Sequence, residues 1–365
     1  MTARQPQRQG PMRGLAASTA VAWLLAIACV GFSVRSLYWT PPDPMTQPLE
    51  GVFPAEDAPE ARALTERLAR GILALQTSDG GFDLGENGQY SYLIERVATS
   101  ALATAALASL DKVWTPETFP GDAPKSERLP GLTAAVARGL DYLKKQQTET
   151  GSIGREEPKD HWSQVDATAA GVLAFAVAGR PEDEEALDAA AKAMIRFGRA
   201  GLRNGWTRAL GVMMAERLVR LGLEDVLGGD ARSLADWRQI RQVSSGLPQV
   251  SDWNMAEAIS RVVLGLVKGQ DPFPGQVTLA CLQDLPVWSG QSSDCQAWWM
   301  QGWLVARSGS PEAGPWFSAL LKVFQEEGVE DDDTIHGGWY ANTLCQTSGA
   351  VMVLLEGLST QIVAR

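Results

Sequence analysis

The densest group of ionisable side chains in this chain is an acidic run near its C-terminal end. It reads Glu330, Asp331, Asp332, Asp333 and Thr334. Crowded carboxylates raise one another's pKa, so one of them could stay protonated and donate a proton to a substrate. The alternative is a solvated acidic loop, which is common just before a glycine turn.

A second set of candidates recurs at equivalent points of four repeated segments. Near the starts of apolar segments lie Asp166, Asp252, Asp294 and Cys345, each followed two residues later by Thr168, Asn254, Gln296 and Thr347. If the segments are helices in a ring, their polar starts surround one end of a central cavity, which is the usual shape of a ligand site. The alternative is helix capping, because an Asp at a helix N-terminus accepts hydrogen bonds from free backbone N–H groups.

We therefore expect part of this set to bind a ligand, with an aromatic side chain nearby as a platform. The expected ligand-binding residues are Asp166, Asp252, Asp294, Asn254, Gln296 and Trp339.

The elements that would position these residues recur six times between Pro59 and the C-terminus. Each repeat has a polar-faced helix, a glycine turn and an apolar helix, with turns at 80–82, 151–153, 205–206, 246–247, 289–290 and 337–339. One such hairpin cannot bury its apolar face alone, so successive hairpins must stack. The sequence thus predicts an all-α domain over residues 59–365, an α6/α6 toroid of six helical hairpins.

The two helix types differ in their apolar pattern. Residues 132–147 place Leu132, Val136, Leu140 and Leu143 on one face, which is typical of an outer helix. Residues 97–110 carry no charge on any face, which predicts an inner helix buried all round.

Two of the turns carry a recognisable signature. Gln76 precedes Gly80-Gly81-Phe82, and Gln147 precedes Gly151-Ser152-Ile153 at the same spacing. This resembles the QW repeat of the squalene–hopene and oxidosqualene cyclases, whose toroid the protein prenyltransferase β subunits share. Residues 337–339 resemble the same module. The resemblance implies an α/α toroid that binds an apolar, isoprenoid-like ligand.

The acidic run also resembles a motif of that family. Glu330 to Thr334 is similar to the Asp-x-Asp-Asp-Thr motif of class II terpene cyclases, with Glu330 in the first position. The resemblance implies that Asp332 is the proton donor and that Asp333 and Glu330 are its neighbours.

A zinc site is a further alternative, although no cofactor is expected. Asp294 and Cys295 resemble the zinc-ligand segment of protein prenyltransferases, but Asn342 occupies the position of that family's histidine. His336 or Cys345 would have to complete the site, and carboxylate, thiolate and imidazole are all suitable zinc ligands. Otherwise the cysteines are buried or form a disulfide.

The N-terminal residues predict a membrane anchor. Arg4, Arg8 and Arg13 precede an uncharged run over 15–34, which as a helix of about 30 Å would cross the hydrocarbon core. The positive charges predict a single-pass protein of the inner (cytoplasmic) membrane with its toroid outside. Residues 1–37 would be cytoplasmic tail and signal anchor, and 38–58 a Pro-rich linker. A cleaved signal peptide is the alternative, because Ala26-Ile27-Ala28 offers a small-x-small site.

The net charge of −11 argues against a nucleic-acid partner. The expected function is therefore a membrane-anchored toroid that binds an apolar ligand or an extended envelope polymer, with catalysis left open. One alternative is a carbohydrate-active α6/α6 enzyme that uses two rim carboxylates, Asp166 with Asp252 or Asp294. The other is a non-catalytic scaffold for an envelope protein.

Overall fold

The computed structural model describes twelve stretches of the chain. These are residues 51–85, 96–116, 118–121, 124–154, 161–200, 210–211, 213–214, 217–218, 284–288, 294–307, 310–336 and 342–358. The chain divides into two compact units, Met1–Asp43 and Pro44–Arg365, and all described residues belong to the second. Asp252, Asn254 and Trp339 lie outside the described residues.

The described residues are mostly helical, which confirms the predicted all-α class. Numbered along the described part of the chain, the helices are α1 (Ala58–Ala74), α2 (Arg96–Val113), α3 (Lys125–Arg128), α4 (Leu132–Lys145), α5 (His161–Ala178), α6 (Glu184–Ala200), α7 (Cys295–Arg307), α8 (Ala313–Val323) and α9 (Thr343–Leu358). A 3₁₀ turn precedes α6 and a π-helical turn follows α8. These stretches hold no β-strand, only two isolated bridges.

Helices α4 and α2 behave as their apolar patterns predict. In α4, Leu132, Val136, Leu140 and Leu143 are buried while other positions are exposed, so the helix buries one face. In α2, every residue from 98 to 110 is buried. The small side chains of α2 allow neighbouring helices to approach from all sides.

The last described helix packs against the first two. Helix α9 contacts α7, and it also contacts both α1 and α2. The backbone N–H of Leu344, at the start of α9, donates to the carbonyl oxygen of Leu84 at 3.2 Å. Val52, in the predicted linker, donates its N–H to the carbonyl oxygen of Gly357 at 2.9 Å. The two ends of the predicted domain are therefore joined.

The glutamine of the repeated signature connects its own turn to the next outer helix. The side-chain N–H of Gln76 donates to the carbonyl oxygens of Gly80 and Ala135, at 3.2 and 2.9 Å. Gln147 makes the same pair of bonds in the next repeat, to Gly151 and to an alanine of α6, at 3.0 and 2.9 Å. The signature is thus a connection between consecutive repeats.

The first glycine of each of these turns is required for two reasons. Gly80 has φ of 92° and Gly151 has φ of 85°, which is the left-handed region that L side chains rarely adopt. A Cβ on either residue would also lie closer than 3.0 Å to a backbone carbonyl of the next outer helix, that of Arg138 or Ala189. Each turn therefore packs directly onto the following repeat.

The predicted inner-membrane localisation is corrected by the structure. In the described stretches, no helix is both long and apolar enough to cross a membrane. The longest, α2 and α5, have 18 residues each, which span about 27 Å where the hydrocarbon core needs about 30 Å. Their apolar side chains pack inside the protein. The segment on which the prediction was based, residues 15–34, lies outside the described residues.

Candidate functional site

The acidic run forms a turn with the same backbone hydrogen bonds as the glycine turn of the first repeat. Glu330 donates its N–H to the carbonyl oxygen of Thr334 at 2.9 Å, and Asp333 donates its N–H to that of Glu330 at 3.1 Å. In the first repeat, Thr77 and Gly80 make the same two bonds, to Gly81 and to Thr77. The run therefore lies upstream of the turn that the sequence predicted at 337–339, whose residues are outside the described stretches.

Asp333 takes the place that glycine has in the other turns. Its φ is 63°, the only positive value at a non-glycine residue of the described chain. Its carboxylate accepts hydrogen bonds from Arg67 Nε at 2.8 Å and Arg70 Nε at 3.3 Å, both on α1. Its carbonyl oxygen lies where a Cβ on Gly71 would clash. The last turn thus packs onto the first outer helix as the earlier turns pack onto the helices that follow them.

The other acids of this turn are exposed. Asp332 Oδ1 accepts hydrogen bonds from the N–H and hydroxyl of Thr334, at 3.1 and 2.6 Å, and its side chain is 62% exposed. His336 lies 3.9 Å from Glu330 and 4.0 Å from Asp332. The hydrogen bonds of the turn account for the spacing of these acids without any catalytic function. The catalytic role of Asp332, Asp333 and Glu330 stays a prediction.

A second contact that recurs in three repeats of this chain fixes the register of α2, α5 and α9 against their turns. The hydroxyls of Ser100, Thr168 and Thr347 accept hydrogen bonds from the backbone N–H that ends each turn. The donors are Phe82, Ile153 and Ile335, at 3.1, 2.9 and 3.0 Å. Since Asp166 and Cys345 each precede such a hydroxyl by two residues, they occupy equivalent positions in their repeats.

Asp166 and Asp294 are the two described carboxylates of the expected ligand-binding set, called the rim carboxylates below, and they have different local roles. Asp294 caps α7, because its Oδ1 accepts hydrogen bonds from the N–H groups of Gln296 and Ala297 at 2.9 and 3.3 Å. Asp166 does not cap α5, which begins five residues earlier at His161. Both side chains are half-buried. Capping therefore explains Asp294 in part and does not explain Asp166.

A buried layer of amides and thiols lies at the starts of α7 and α9. The N–H of Cys345 donates to Asn342 Oδ1 at 2.8 Å, and the N–H of Cys295 donates to Gln346 Oε1 at 2.7 Å. The side-chain amide of Gln296 contacts the sulfur of Cys345. Helices α7 and α9 are thus joined at their N-terminal ends by polar side chains.

The pKa of the Cys345 thiol reflects its burial and the negative charges near it. Burial raises this pKa well above its usual value, and the negative charges of Asp294 and Asp166 raise it further. The pKa of Cys295 is raised by burial, by Asp294 and by Cys345. Both thiols are therefore protonated at neutral pH, and the two carboxylates act on the same buried group.

No metal centre forms from the described residues. In those stretches no group of three or more His, Cys, Asp or Glu side chains could hold a metal ion. The ligands expected for zinc were Asp294, Cys295 and His336. His336 lies instead beside the exposed acids of the last turn, and Cys295 is a buried free thiol.

Sequence reasoning missed two members of the buried polar layer, Asn342 and Gln346. Asn342 also donates from its side-chain amide to the Thr99 hydroxyl at 3.4 Å. Both residues lie at the start of α9, ahead of its apolar run from Ala350 to Leu355, and this polar start was the available signal.

Comparisons with known proteins do not assign this chain to a family. No protein-family model matches it, and no curated protein matches it. Solved structures of similar shape include a wild-type glycosidase and a glycosidase variant in complex with glucose. Each is 14% identical to this chain, with a TM-score of 0.48 over 84% of this chain and 99% of the other.

Proposed function

We propose that this chain is a closed α6/α6 toroid of the QW-repeat type whose mouth binds a carbohydrate, and that Asp166 and Asp294 act on the glycosidic bond. The observations that carry the proposal are geometric: Asp294 caps the N-terminus of α7, which polar side chains join to the start of α9 beside Cys345, and Asp166 holds in α5 the position that Cys345 holds in α9.

The order of the inner helices supports a ring. Helix α5 packs on α2, α2 on α9 and α9 on α7. Helix α9 also contacts α1, so the end of the described chain meets its beginning. The contact of the last turn with α1 supports closure of the ring.

The chemistry of the rim suits a neutral sugar. Asp166 and Asp294 are half-buried carboxylates, which accept hydrogen bonds from sugar hydroxyl groups, and the described rim residues include no cation that would pair with an acidic sugar. In the acidic run, which the resemblance connected with terpenoid chemistry, Asp333 pairs with two arginines of α1.

The two carboxylates suit different steps of glycoside hydrolysis. Asp294 lies at a helix N-terminus, where the free N–H groups and the helix dipole stabilise its charged form, so it serves as base or nucleophile. Asp166 has no capping role and donates the proton to the leaving oxygen. Both classes of glycosidase need one group of each kind.

The test is hydrolysis of neutral oligosaccharides by the purified full chain, followed by chromatography of the products. We expect Asp166→Asn and Asp294→Asn to lower kcat by at least about 100-fold, and Asp332→Asn to leave it unchanged. The anomer seen first by NMR then gives retention or inversion. The proposal is wrong if no oligosaccharide is cleaved, or if turnover survives in both rim variants.

A further inference from the structure

A groove between α1 and the segment before α4 carries an excess of positive charge. It has a volume of about 440 Å³ and is lined by Pro59, Arg62, Ala63, Glu66, Arg67, Arg70, Pro120 and Arg128. Six of these residues lie on α1 at spacings of three or four, so they share one face of that helix. The segment before α4, with Pro120 and Arg128, forms the other wall.

Two of the four arginine charges in this arginine groove are balanced. Arg128 forms an ion pair with Glu66, and Asp333 is shared by Arg67 and Arg70. Four guanidinium groups against two carboxylates leave two positive charges. These charges lie on a chain whose net charge is −11, so they are not part of a generally basic surface.

The groove also contains an unsatisfied donor. Arg62 Nε is shielded from solvent and has no hydrogen-bond partner among the described residues. A buried charged donor without a partner is costly, because the group has lost its water. An acceptor bound in the groove would remove this cost.

The opposite wall of the groove is held in place. The Arg128 guanidinium lies 4.9 Å from the centre of the Trp114 ring, and its Nη1 donates to the carbonyl oxygen of Phe119 at 2.9 Å. Trp114 and Phe119 stack at 4.3 Å with an angle of 7° between their rings. The charge of Arg128 is therefore held in place before any ligand binds, which lowers the cost of binding.

We propose that the arginine groove binds a phosphate-bearing ligand, with Arg62 and Arg70 as its principal contacts. Guanidinium groups donate pairs of parallel hydrogen bonds to phosphate oxygens, and a doubly charged phosphate or diphosphate matches the two unbalanced charges. None of the lining residues belongs to the rim, so this proposal does not depend on the carbohydrate proposal.

The test is calorimetric titration of the full chain with inorganic pyrophosphate. We expect a single site whose affinity falls as NaCl is added. Arg62→Gln and Arg70→Gln should each weaken binding at least about tenfold, because each removes a charge-assisted contact. Arg138→Gln is the matched control. Arg138-Gly139 in α4 corresponds to Arg70-Gly71 in α1, but Arg138 does not line the groove. Loss of its charge should therefore leave the affinity within about twofold.

Thermal unfolding shows whether a variant has only lost its fold. Arg62→Gln removes a donor that has no partner, so we expect its Tm without ligand to equal or exceed that of the unaltered chain. Pyrophosphate should raise the Tm of the unaltered chain and of Arg138→Gln, but not that of Arg62→Gln.

A second arm distinguishes a free phosphate from a lipid headgroup. Vesicles of phosphatidylcholine with phosphatidylglycerol are compared with vesicles of phosphatidylcholine alone. Binding of pyrophosphate supports a soluble ligand, and Arg62-dependent binding to the anionic vesicles alone assigns the same site to a headgroup. Absence of binding to both probes, or equal binding by Arg62→Gln, overturns the proposal.

Discussion

Substitution of Asp333 tests whether the acidic run is a packing turn. This residue has an unfavourable backbone conformation, with φ of 63°, and also pairs with two arginines of α1. Alanine removes the ion pairs and keeps the unfavourable backbone. Glycine removes the ion pairs and relieves the backbone, since glycine is what the other turns have at this position.

The magnitudes separate the two variants. The side chains are partly exposed, 26% for Asp333 and 44% for each arginine, so each pair contributes about 0.2–1 kcal/mol. Asp333→Ala should therefore lower the free energy of unfolding by about 0.5–2 kcal/mol. An L residue in the left-handed region costs about 1 kcal/mol more than glycine. Asp333→Gly should then be more stable than Asp333→Ala by about 1 kcal/mol, and close to the unaltered chain.

Urea unfolding at low and high NaCl measures both contributions. Salt screens the ion pairs of the unaltered chain, so the loss in Asp333→Ala should shrink at high salt. The difference between the glycine and alanine variants should not change, because it comes from the backbone. If the two variants are equally stable, or if alanine is the more stable, our account of the turn is wrong.

Three further predictions concern stability. Gly151→Ala should lower the free energy of unfolding by at least about 2 kcal/mol in urea, because a Cβ there meets the Ala189 carbonyl and φ is 85°. Glu356→Gln should cost about 3–5 kcal/mol in the same assay, since it removes the charge of a buried carboxylate that lies 2.9 Å from Arg307 Nη1 and also pairs with Arg217. The hydrogen bond from Arg96 lowers the pKa of Asp79 to about 2, from 3.8 when unfolded. This stabilisation is therefore present above about pH 4 and is lost as the pH falls towards 2, so the stability difference between the unaltered chain and Asp79→Asn should shrink over that range.

Each of these predictions has an outcome that would contradict it. Asp188→Asn breaks an exposed ion pair with Lys192 and should change stability by less than about 1 kcal/mol; an equal loss in Glu356→Gln would show that burial is unimportant there. A Gly151→Ala variant as stable as the unaltered chain would mean that the turn can move away from α6. A stability difference for Asp79→Asn that stays constant from pH 5 to 2 would mean that Asp79 does not titrate as the ion pair requires.

Much of the fold could be predicted because its signals are local. The one-sided apolar pattern of residues 132–147 and the uncharged pattern of 97–110 identified α4 and α2 as outer and inner helices. The spacing from Gln76 to Gly80 identified a turn that the backbone hydrogen bonds bear out. The last turn was predicted too far downstream, because Asp333 is not a glycine and only its φ reveals the shared conformation.

The sequence by itself determined the all-α class, the apolar patterns of α2 and α4 and the first two turns, since these depend on residues within one repeat. Only the tertiary structure decided which repeats meet. Gln296 and Cys345 come from distant segments and meet because α7 and α9 pack against each other at their N-terminal ends. Arg67 and Arg70 meet Asp333 because the last turn packs on the first outer helix. Such contacts depend on how the helices stack through space, and no spacing along the chain encodes that distance.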